Sequence, residues 1–289
     1  MSILVNGDTR LLVQGIGSRT GTLYAEHVLG SGTHLVAGVE FGQGGTWFST
    51  VPVFDSCREA VHATDANASL LCVQSPLAAE AVLEAADAGL DLVICITPDL
   101  PAQDVVLIEA CLAQTDTMML GPGSVGAFSP GQCLAGVLPQ GIAKPGGIGV
   151  VSRSGSLAYE VTWGLSRAGL GQSTILSIGG GTIVGLGFDE ILAMFEDDPV
   201  TRMVVLIGEV GGQEEEWAAE FVPDGMTKPV VAMVTGRTSP PGQQMGHPGA
   251  IIEGVTDTAQ HKISLLENAG VDVARCPAEI IELVKRRMR

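Results

Sequence analysis

The strongest constraint on the fold is a regular alternation of short apolar runs with helical patterns. Residues 11–15 (LLVQG) and 92–97 (LVICIT) are typical of buried strands, whereas TLYAEHVLGSG, which follows the first run, has helical spacing. Strands that alternate with helices in this rhythm form βαβ units around a parallel sheet. The chain is therefore predicted to have an α/β fold. The other predicted strands lie at 34–40, 69–74, 118–121, 148–153, 174–180, 203–209, 229–236 and 271–276.

The alternation lapses once, over residues 122–147, where Gly and Pro are frequent. This segment is predicted to be a connector with little regular structure. A chain of 289 residues accommodates two domains of roughly 100–150 residues each. The first is predicted at 1–124 and the second at 125–289. In such domains ligands bind beyond the carboxyl ends of the strands.

Composition narrows the class of partner. The formal net charge is −17, which argues against nucleic acid and anionic membranes because both are bound through basic patches. No apolar run reaches the ~18 residues of a membrane span, and the first residues lack the pattern of a secretory signal. The six cysteines include no CxxC pair. We therefore expect a reduced, cytoplasmic protein that acts on a small ligand.

A glycine-rich turn, QGIGSRTGT (14–22), follows the first predicted strand and opens a helix. Its GxGxxxG spacing is one residue longer than the dinucleotide-binding fingerprint, and Ser18 and Thr20 add hydroxyl groups. Glu40, at the end of the second predicted strand, stands where the ribose partner of NAD is expected. These residues favour a nucleotide-like ligand, with NAD and CoA undecided. The alternative is a turn that only packs a helix on a strand.

The second half of the chain places a histidine, His247, in the bare setting MGHPGAII. A neutral imidazole can attack a phosphoryl group to give phosphohistidine, provided that a carboxylate holds the ring and an anion site lies opposite. Glu209 in LIGEVGG can supply the carboxylate, and the turn Ser154-Gly155-Ser156 in VVSRSGSLAYE can supply the anion site. Singly, these are a structural histidine, a solvated acid and an ordinary helix cap. Together they favour phosphoryl transfer.

The motifs QGIGSRTGT, PVFDSCREAV, VVSRSGSLAYE, IGEVGG and MGHPGAII resemble, in order and spacing, the α subunit of the succinyl-CoA synthetase (succinate–CoA ligase) family. The resemblance covers essentially the whole chain. It implies an N-terminal Rossmann-like CoA-binding domain followed by a flavodoxin-like ligase domain. It also implies that His247 is phosphorylated during turnover, that Glu209 holds its ring, and that Tyr159 lies near the carboxylate substrate. The residues implied to contact CoA are Gly17, Ser18, Arg19, Thr20, Gln43, Ile96, Thr97 and Pro98.

The same resemblance implies a partner. ATP or GTP with Mg²⁺ is expected on a β subunit of ATP-grasp fold, so the α chain alone should be inactive, and no metal ligand is assigned to it. The implied cycle joins a small dicarboxylate to CoA through an acyl phosphate, with the phosphate carried by His247. The sequence is compatible with either nucleotide and with an αβ or (αβ)2 assembly.

Several positions depart from the family pattern. Gln43 replaces a lysine of the usual GKGG loop, GPGSVG (121–126) replaces GPNCPG, and GGGT (179–182) replaces GGDP. The histidine loop RTSPPGQQ keeps only Arg237 among its usual cations, and Pro248 replaces an alanine. These changes leave two alternatives to a succinate enzyme. One is the α subunit of a malate–CoA ligase, and the other is a non-catalytic CoA- or nucleotide-binding homologue.

Overall fold

A computed structural model describes residues 2–288 and shows two seven-stranded sheets flanked by helices. Residues 1 and 289, the outer ends of the two predicted domains, lie outside this range. The described strands are β1 (Arg10–Gln14), β2 (His34–Val39), β3 (Trp47–Phe48), β4 (Val51–Phe54), β5 (Ala68–Leu71), β6 (Leu92–Cys95), β7 (Met118–Leu120), β8 (Gly126–Ser129), β9 (Cys133–Gly136), β10 (Pro145–Ser152), β11 (Gln172–Ser177), β12 (Met203–Gly208), β13 (Val230–Val234) and β14 (Asp272–Ala274). The described helices are α1 (Arg19–Gly30), α2 (Cys57–Thr64), α3 (Ser75–Asp87), α4 (Ala102–Leu112), α5 (Gly155–Arg167), α6 (Phe188–Asp197), α7 (Glu214–Gly225), α8 (Ala259–Asn268) and α9 (Pro277–Arg287).

The first sheet has the order β3-β4-β2-β1-β5-β6-β7. Apart from β3, which is antiparallel to β4, its strands are parallel and follow the chain-order pattern 3-2-1-4-5-6. This is the Rossmann order, in which the crevice between the first and fourth strands receives the ligand. Strands β3 and β4 were not predicted, because β3 has only two residues and the short β4 contains a proline.

The second sheet has the order β14-β13-β12-β10-β11-β8-β9. Its parallel strands β10 to β14 follow the pattern 2-1-3-4-5, which is the flavodoxin-like order. The antiparallel hairpin β8–β9 extends one edge. The predicted α/β class and both predicted architectures are therefore confirmed.

The prediction that 122–147 is an irregular connector is wrong. This segment contains β8, β9, a 3-10 turn at Gln140–Ile142 and the start of β10. The glycines permit a close approach of the hairpin backbones. A Cβ on Gly126 would lie 2.3 Å from the Ala135 carbonyl oxygen, and a Cβ on Gly136 would lie 2.4 Å from that of Val125. Frequent glycine predicts a break in regular structure, whereas here it allows strand pairing.

The core explains why β10 and β12 are almost wholly apolar. Helices cover both faces of the second sheet, so nearly every side chain of these strands is buried. One hydrophobic cluster joins the sheets, with Leu11 of β1 and Leu176 of β11 among its members. The first sheet ends at Leu120 and the second begins at Gly126, which is compatible with the boundary predicted near residue 124. No helix between residues 2 and 288 is both long and apolar enough to cross a bilayer.

Candidate active site

The strand order of the second sheet brings two separated sequence segments together. Strands β10 and β12 are neighbours, with Ser152 in register with Ile207. The order in which strands are added reverses at this pair, because β11 lies on the other side of β10 from β12. The carboxyl ends of β10 and β12 therefore form the crevice in which flavodoxin-like domains bind ligands. Arg153 follows β10 and Glu209 follows β12 directly. The topology therefore places a cation and a carboxylate side by side at the ligand-binding edge.

Glu209 holds the ring of His247. The Glu209 Oε2 atom lies 2.8 Å from His247 Nδ1. A carboxylate only accepts hydrogen bonds, so Nδ1 carries the proton that it donates to Glu209, and Nε2 is left with its lone pair. The Glu209 side chain is 7% exposed and that of His247 is 38% exposed. The carboxylate is thus buried behind the ring, while the ring remains accessible to a reactant.

Arg153 lies on the far side of Glu209. Its Nε is 3.2 Å from Glu209 Oε1, and its side chain is wholly buried. The remaining guanidinium nitrogens donate to the carbonyl oxygens of Gly211 at 3.0 Å and Gly181 at 2.9 Å. Because two of its nitrogens are hydrogen-bonded to backbone carbonyl oxygens, the planar guanidinium is held beside Oε1 of the carboxylate that in turn holds His247. The sequence had suggested no role for Arg153.

A second buried charge pair supports the backbone of Glu209. Glu215 Oε1 accepts a hydrogen bond of 2.8 Å from the Glu209 N–H, and its other oxygen pairs with Lys262. The Lys262 ammonium also donates to the Gly211 carbonyl oxygen at 2.6 Å, which is the acceptor that Arg153 uses. The side chains of Glu215 and Lys262 are both fully buried. The reactive pair therefore rests on a connected ionic network.

Glycines surround the imidazole because other backbones pass close to it. A Cβ on Gly180 would lie 2.1 Å from His247 Cγ, and a Cβ on Gly249 would lie 2.5 Å from the Gly181 carbonyl oxygen. The Gly249 N–H donates to the Gly180 carbonyl oxygen at 3.0 Å, which ties the two loops together. Gly246 has a left-handed φ of +89°, which glycine adopts without strain. The loop composition thus reflects close packing around the ring.

His247 faces a cleft of about 410 Å³ between the two domains. The first domain contributes Pro98, Asp99 and Leu100, and the second contributes His247 and the loop 180–183. The carboxyl ends of strands from both sheets thus meet at the imidazole. Of the residues predicted to bind CoA, Pro98 lines this cleft directly. Asp99, which the sequence analysis did not single out, adds a carboxylate to the same wall.

The charges around His247 change its protonation. The hydrogen bond from the ring to Glu209 raises the pKa of His247 above its ordinary value, partial burial opposes this, and the negative charge of Asp99 adds a further increase. Arg153 acts in the lowering direction. The carboxylate therefore stabilises a positive ring, the form of charge that develops when the imidazole nitrogen attacks an electrophile.

The glycine-rich turn of the first domain brings together several residues predicted to contact CoA. Ser18 caps α1, its Oγ accepting 2.9 Å from the Gly21 N–H. Arg19 and Thr20, in the first turn of α1, are exposed. The Gln43 side chain lies beside Gly17, since a Cβ on Gly17 would be 2.8 Å from Gln43 Nε2. Their placement suits an anion at the start of α1, and their contact with CoA stays a prediction.

The other predicted site residues lie on separate elements. Ile96 and Thr97 follow β6, but the Thr97 hydroxyl donates to the Val73 carbonyl oxygen at 2.6 Å and is not free.

Ser154 caps α5, accepting from the Leu157 N–H at 3.4 Å, and its hydroxyl lies 3.3 Å from that of Ser156. A Cβ on Gly155 would lie 2.3 Å from Val125 Cγ1, so a larger residue there would displace the Val125 side chain. Tyr159, on α5, is 41% exposed. Ile96, Thr97, Tyr159 and the 154–156 turn do not line the cleft at His247.

Two family models match the chain. Residues 6–99 match the CoA binding domain, and residues 151–279 match the CoA-ligase family. Among curated proteins, the chain is 49% identical to the ADP-forming succinate–CoA ligase subunit alpha 2 of Archaeoglobus fulgidus, over 98% of this chain and 99% of that protein. It is 44% identical to the ADP-forming succinate–CoA ligase subunit alpha of Aquifex aeolicus, over 100% of this chain and 95% of that protein.

Solved structures share the fold. The ATP citrate lyase of Methanothrix soehngenii, in complex with citrate and coenzyme A, aligns with a TM-score of 0.87 at 24% identity. A D541A mutant of the Methanosaeta concilii ATP citrate lyase, in complex with (3S)-citryl-CoA, aligns with a TM-score of 0.89 at 25% identity. Each alignment covers 99% of this chain and 51% of the other. The chain thus spans about half the length of these lyases.

Proposed function

Because the chain belongs to the succinate–CoA ligase α-subunit family, we propose that it is the α subunit of an ADP-forming acid–thiol ligase and that His247 is its phosphoryl carrier. The observation that carries the proposal is the 2.8 Å contact between Glu209 Oε2 and His247 Nδ1. It leaves Nε2 as the nucleophile and places a buried carboxylate where positive charge forms.

The reaction follows from this arrangement. His247 Nε2 attacks the γ-phosphorus of the nucleoside triphosphate, forming an N–P bond as the bond to the departing diphosphate breaks. Glu209 stabilises the ring while it carries the phosphoryl group. A carboxylate oxygen of the acid then takes that group from Nε2 to give an acyl phosphate. Breaking the N–P bond in that step regenerates His247. The CoA thiolate then attacks the acyl carbon and inorganic phosphate leaves.

We assign a phosphate-handling role to the turn Ser154-Gly155-Ser156. The backbone N–H groups at the start of α5 and the two serine hydroxyls suit an anion. Support comes from chain connectivity, since Ser154 directly follows Arg153, which contacts Glu209 at 3.2 Å. Tyr159, one turn further along α5, is proposed to lie near the carboxylate substrate.

CoA is proposed to bind the first domain with its pyrophosphate at the turn Gly17–Thr20 and beside Gln43. Its thiol end would approach the cleft through Ile96, Thr97 and Pro98. The support is that Pro98 lines the cleft that His247 faces. A path along the carboxyl ends of β1, β5 and β6 would therefore connect the glycine turn to the reactive histidine.

We propose that the nucleotide, with Mg²⁺, binds a β subunit of ATP-grasp fold. The naming of the relatives as alpha subunits supports a partner. Their names also specify succinate, so we propose succinate as the acid in preference to malate. The intact contacts of Glu209 with His247 and Arg153 argue against a non-catalytic homologue. All six cysteines are free thiols, which fits a reducing location such as the cytoplasm.

The decisive experiment is phosphorylation of the αβ complex with γ-labelled ATP or GTP. We expect an acid-labile, alkali-stable label on the α chain that is absent from the His247→Ala variant. The label should be discharged by succinate together with CoA, with release of inorganic phosphate. Malate in place of succinate is the control for the acid.

The proposal would be contradicted by a complex that binds nucleotide but acquires no label on the α chain. A label that persists in the His247→Ala variant would equally exclude His247 as the carrier. Discharge by malate but not by succinate would leave the phosphohistidine in place and change only the acid.

A further inference from the structure

The nucleotide crevice of the first domain contains a second cavity, of about 440 Å³, whose walls are strongly acidic. It lies at the carboxyl ends of β1 and β2, beside the glycine turn. Four carboxylate side chains line it, namely those of Glu40, Asp55, Glu80 and Glu84. Within the described residues that form its walls there is no Lys, Arg or His. A ligand with a phosphate group inside this cavity would meet uncompensated negative charge.

Glu40 is the carboxylate closest to the turn. Its Oε2 accepts a 2.9 Å hydrogen bond from the Gly17 N–H. Its other oxygen, Oε1, accepts no hydrogen bond from the described residues. In Rossmann domains an acidic residue at the end of the second strand accepts hydrogen bonds from the ribose hydroxyls of the bound nucleotide. Glu40 follows β2 directly and is anchored for that contact.

Two of the other acids are already engaged. Asp55 Oδ1 accepts from the Gly44 N–H at 2.9 Å, and Glu84 Oε1 accepts from the Cys57 N–H at 2.9 Å. Their positions are therefore fixed by backbone groups, and they keep the cavity negative. Hydroxyl groups of a ribose can donate to such a wall, whereas a ribose phosphate can only be repelled by it.

An aromatic ring stands next to Glu40. Phe41 lines the same cavity and is 91% exposed, which is unusual for a large apolar side chain. A purine base can stack on the face of such a ring and gain binding free energy. A base on Phe41 with its ribose against Glu40 would leave the pyrophosphate at the start of α1, next to Arg19.

We propose that Glu40 and Phe41 form an adenosine subsite that selects a ribose without a phosphate group. This inference rests on the proposed function and specifies the thiol substrate of the same site. CoA carries a phosphate on its adenosine ribose, and dephospho-CoA carries a free hydroxyl there. The subsite therefore favours dephospho-CoA over CoA. Gln43, which adds no positive charge beside Gly17, is consistent with this preference.

The test is calorimetric titration of the αβ complex with CoA and with dephospho-CoA. We expect dephospho-CoA to bind roughly tenfold more tightly, which corresponds to about 1.4 kcal/mol. Repulsion between a carboxylate and a phosphate dianion a few ångströms apart reaches this size even at the dielectric constant of water. Raising the salt concentration should reduce the preference, because the cavity is open to solvent.

Variants separate the local charge from the net charge of the chain. Glu40→Gln keeps the side-chain shape and should bring the two affinities to within about twofold of each other. Phe41→Ala should weaken both ligands equally, by roughly tenfold or more. Glu59→Gln is the matched control, because this exposed acid on α2 lies outside the cavity. It should leave the preference unchanged.

Equal or tighter binding of CoA by the wild-type complex would overturn the inference, and so would an unchanged preference in Glu40→Gln. Neither result would affect the phosphohistidine, because labelling of His247 by ATP needs no thiol substrate. Loss of that label, in contrast, would contradict the proposed function while leaving the adenosine subsite to be judged by the titration alone.

Discussion

Replacing Arg153 by methionine tests whether the buried ion pair, and not merely the Glu209–His247 contact, sets the reactivity of the histidine. Methionine has a similar length but removes the guanidinium that lies 3.2 Å from Glu209 Oε1. It also removes the hydrogen bonds to the carbonyl oxygens of Gly211 and Gly181. Glu209 would remain buried with no cation beside it.

The size of the effect follows from burial. The Arg153 and Glu209 side chains are 0% and 7% exposed, and removing one partner of such a pair costs about 3–5 kcal/mol of unfolding free energy. For a domain of this size, the corresponding fall in melting temperature is about 6–20 °C. A catalytic group displaced by about 1 Å loses on the order of 10²-fold in rate. We expect phosphorylation of His247 to slow by that factor.

The assay is rapid-quench phosphorylation of the αβ complex, with calorimetric melting on the same samples. Arg153→Lys is the second variant, since it keeps the charge but cannot reach Glu209 and both carbonyl oxygens together. It should be less destabilised than Arg153→Met and still phosphorylate slowly. Arg167→Met, at an exposed arginine stacked on Trp163, is the control for loss of a cation from the same domain.

The reasoning would be refuted by an Arg153→Met complex that is folded and labels His247 at the wild-type rate. A large fall in melting temperature without a change in rate would show that Arg153 serves stability alone. A slow rate in Arg167→Met would show that the effect is not specific to the buried pair.

Three further outcomes test the same site. The phosphorylation rate should rise with pH through an inflection above about 6.5, because only the neutral ring attacks and Glu209 raises the pKa of His247. Glu209→Gln should lower the pKa of the ring measured by NMR titration. An unchanged pKa in this variant would exclude Glu209 as the cause. Gly180→Ala should slow labelling by roughly 10²-fold, because its Cβ would lie 2.1 Å from His247 Cγ. The control is Gly7→Ala, which should label normally because the new methyl group has open space around it. Lys262→Met should lower the unfolding free energy by about 3–5 kcal/mol in urea titrations, because it leaves a buried carboxylate without its partner; a change below about 1 kcal/mol would contradict this.

Much of the fold was predictable because burial on both faces of a parallel sheet demands unbroken apolar strands. All ten predicted strands are present, with ends shifted by a few residues. The edges were less predictable. The hairpin β8–β9 was missed because its glycines serve close backbone contact, and a sequence cannot distinguish that use from a flexible turn.

The candidate site shows the same division. His247, Glu209 and the serine turn were predicted from residue types whose chemistry fits phosphoryl transfer, and the structure places Glu209 against His247. Arg153 was overlooked although it stands at the end of an apolar strand, an unusual position for a charged side chain. Lys262 was not singled out either, because within α8 it resembles any solvent-facing lysine.

By itself, the sequence determined the order of strands and helices, because the spacing of apolar residues is a local property of the chain. It also determined which chemical groups were available at the strand ends. The tertiary structure alone decided which of them meet. Lys262 pairs with Glu215 across a separation of 47 residues, and His247 reaches Glu209 across 38. Parallel strands bring their carboxyl ends to one edge whatever the length of chain between them, so such contacts follow from topology and are not encoded in spacing.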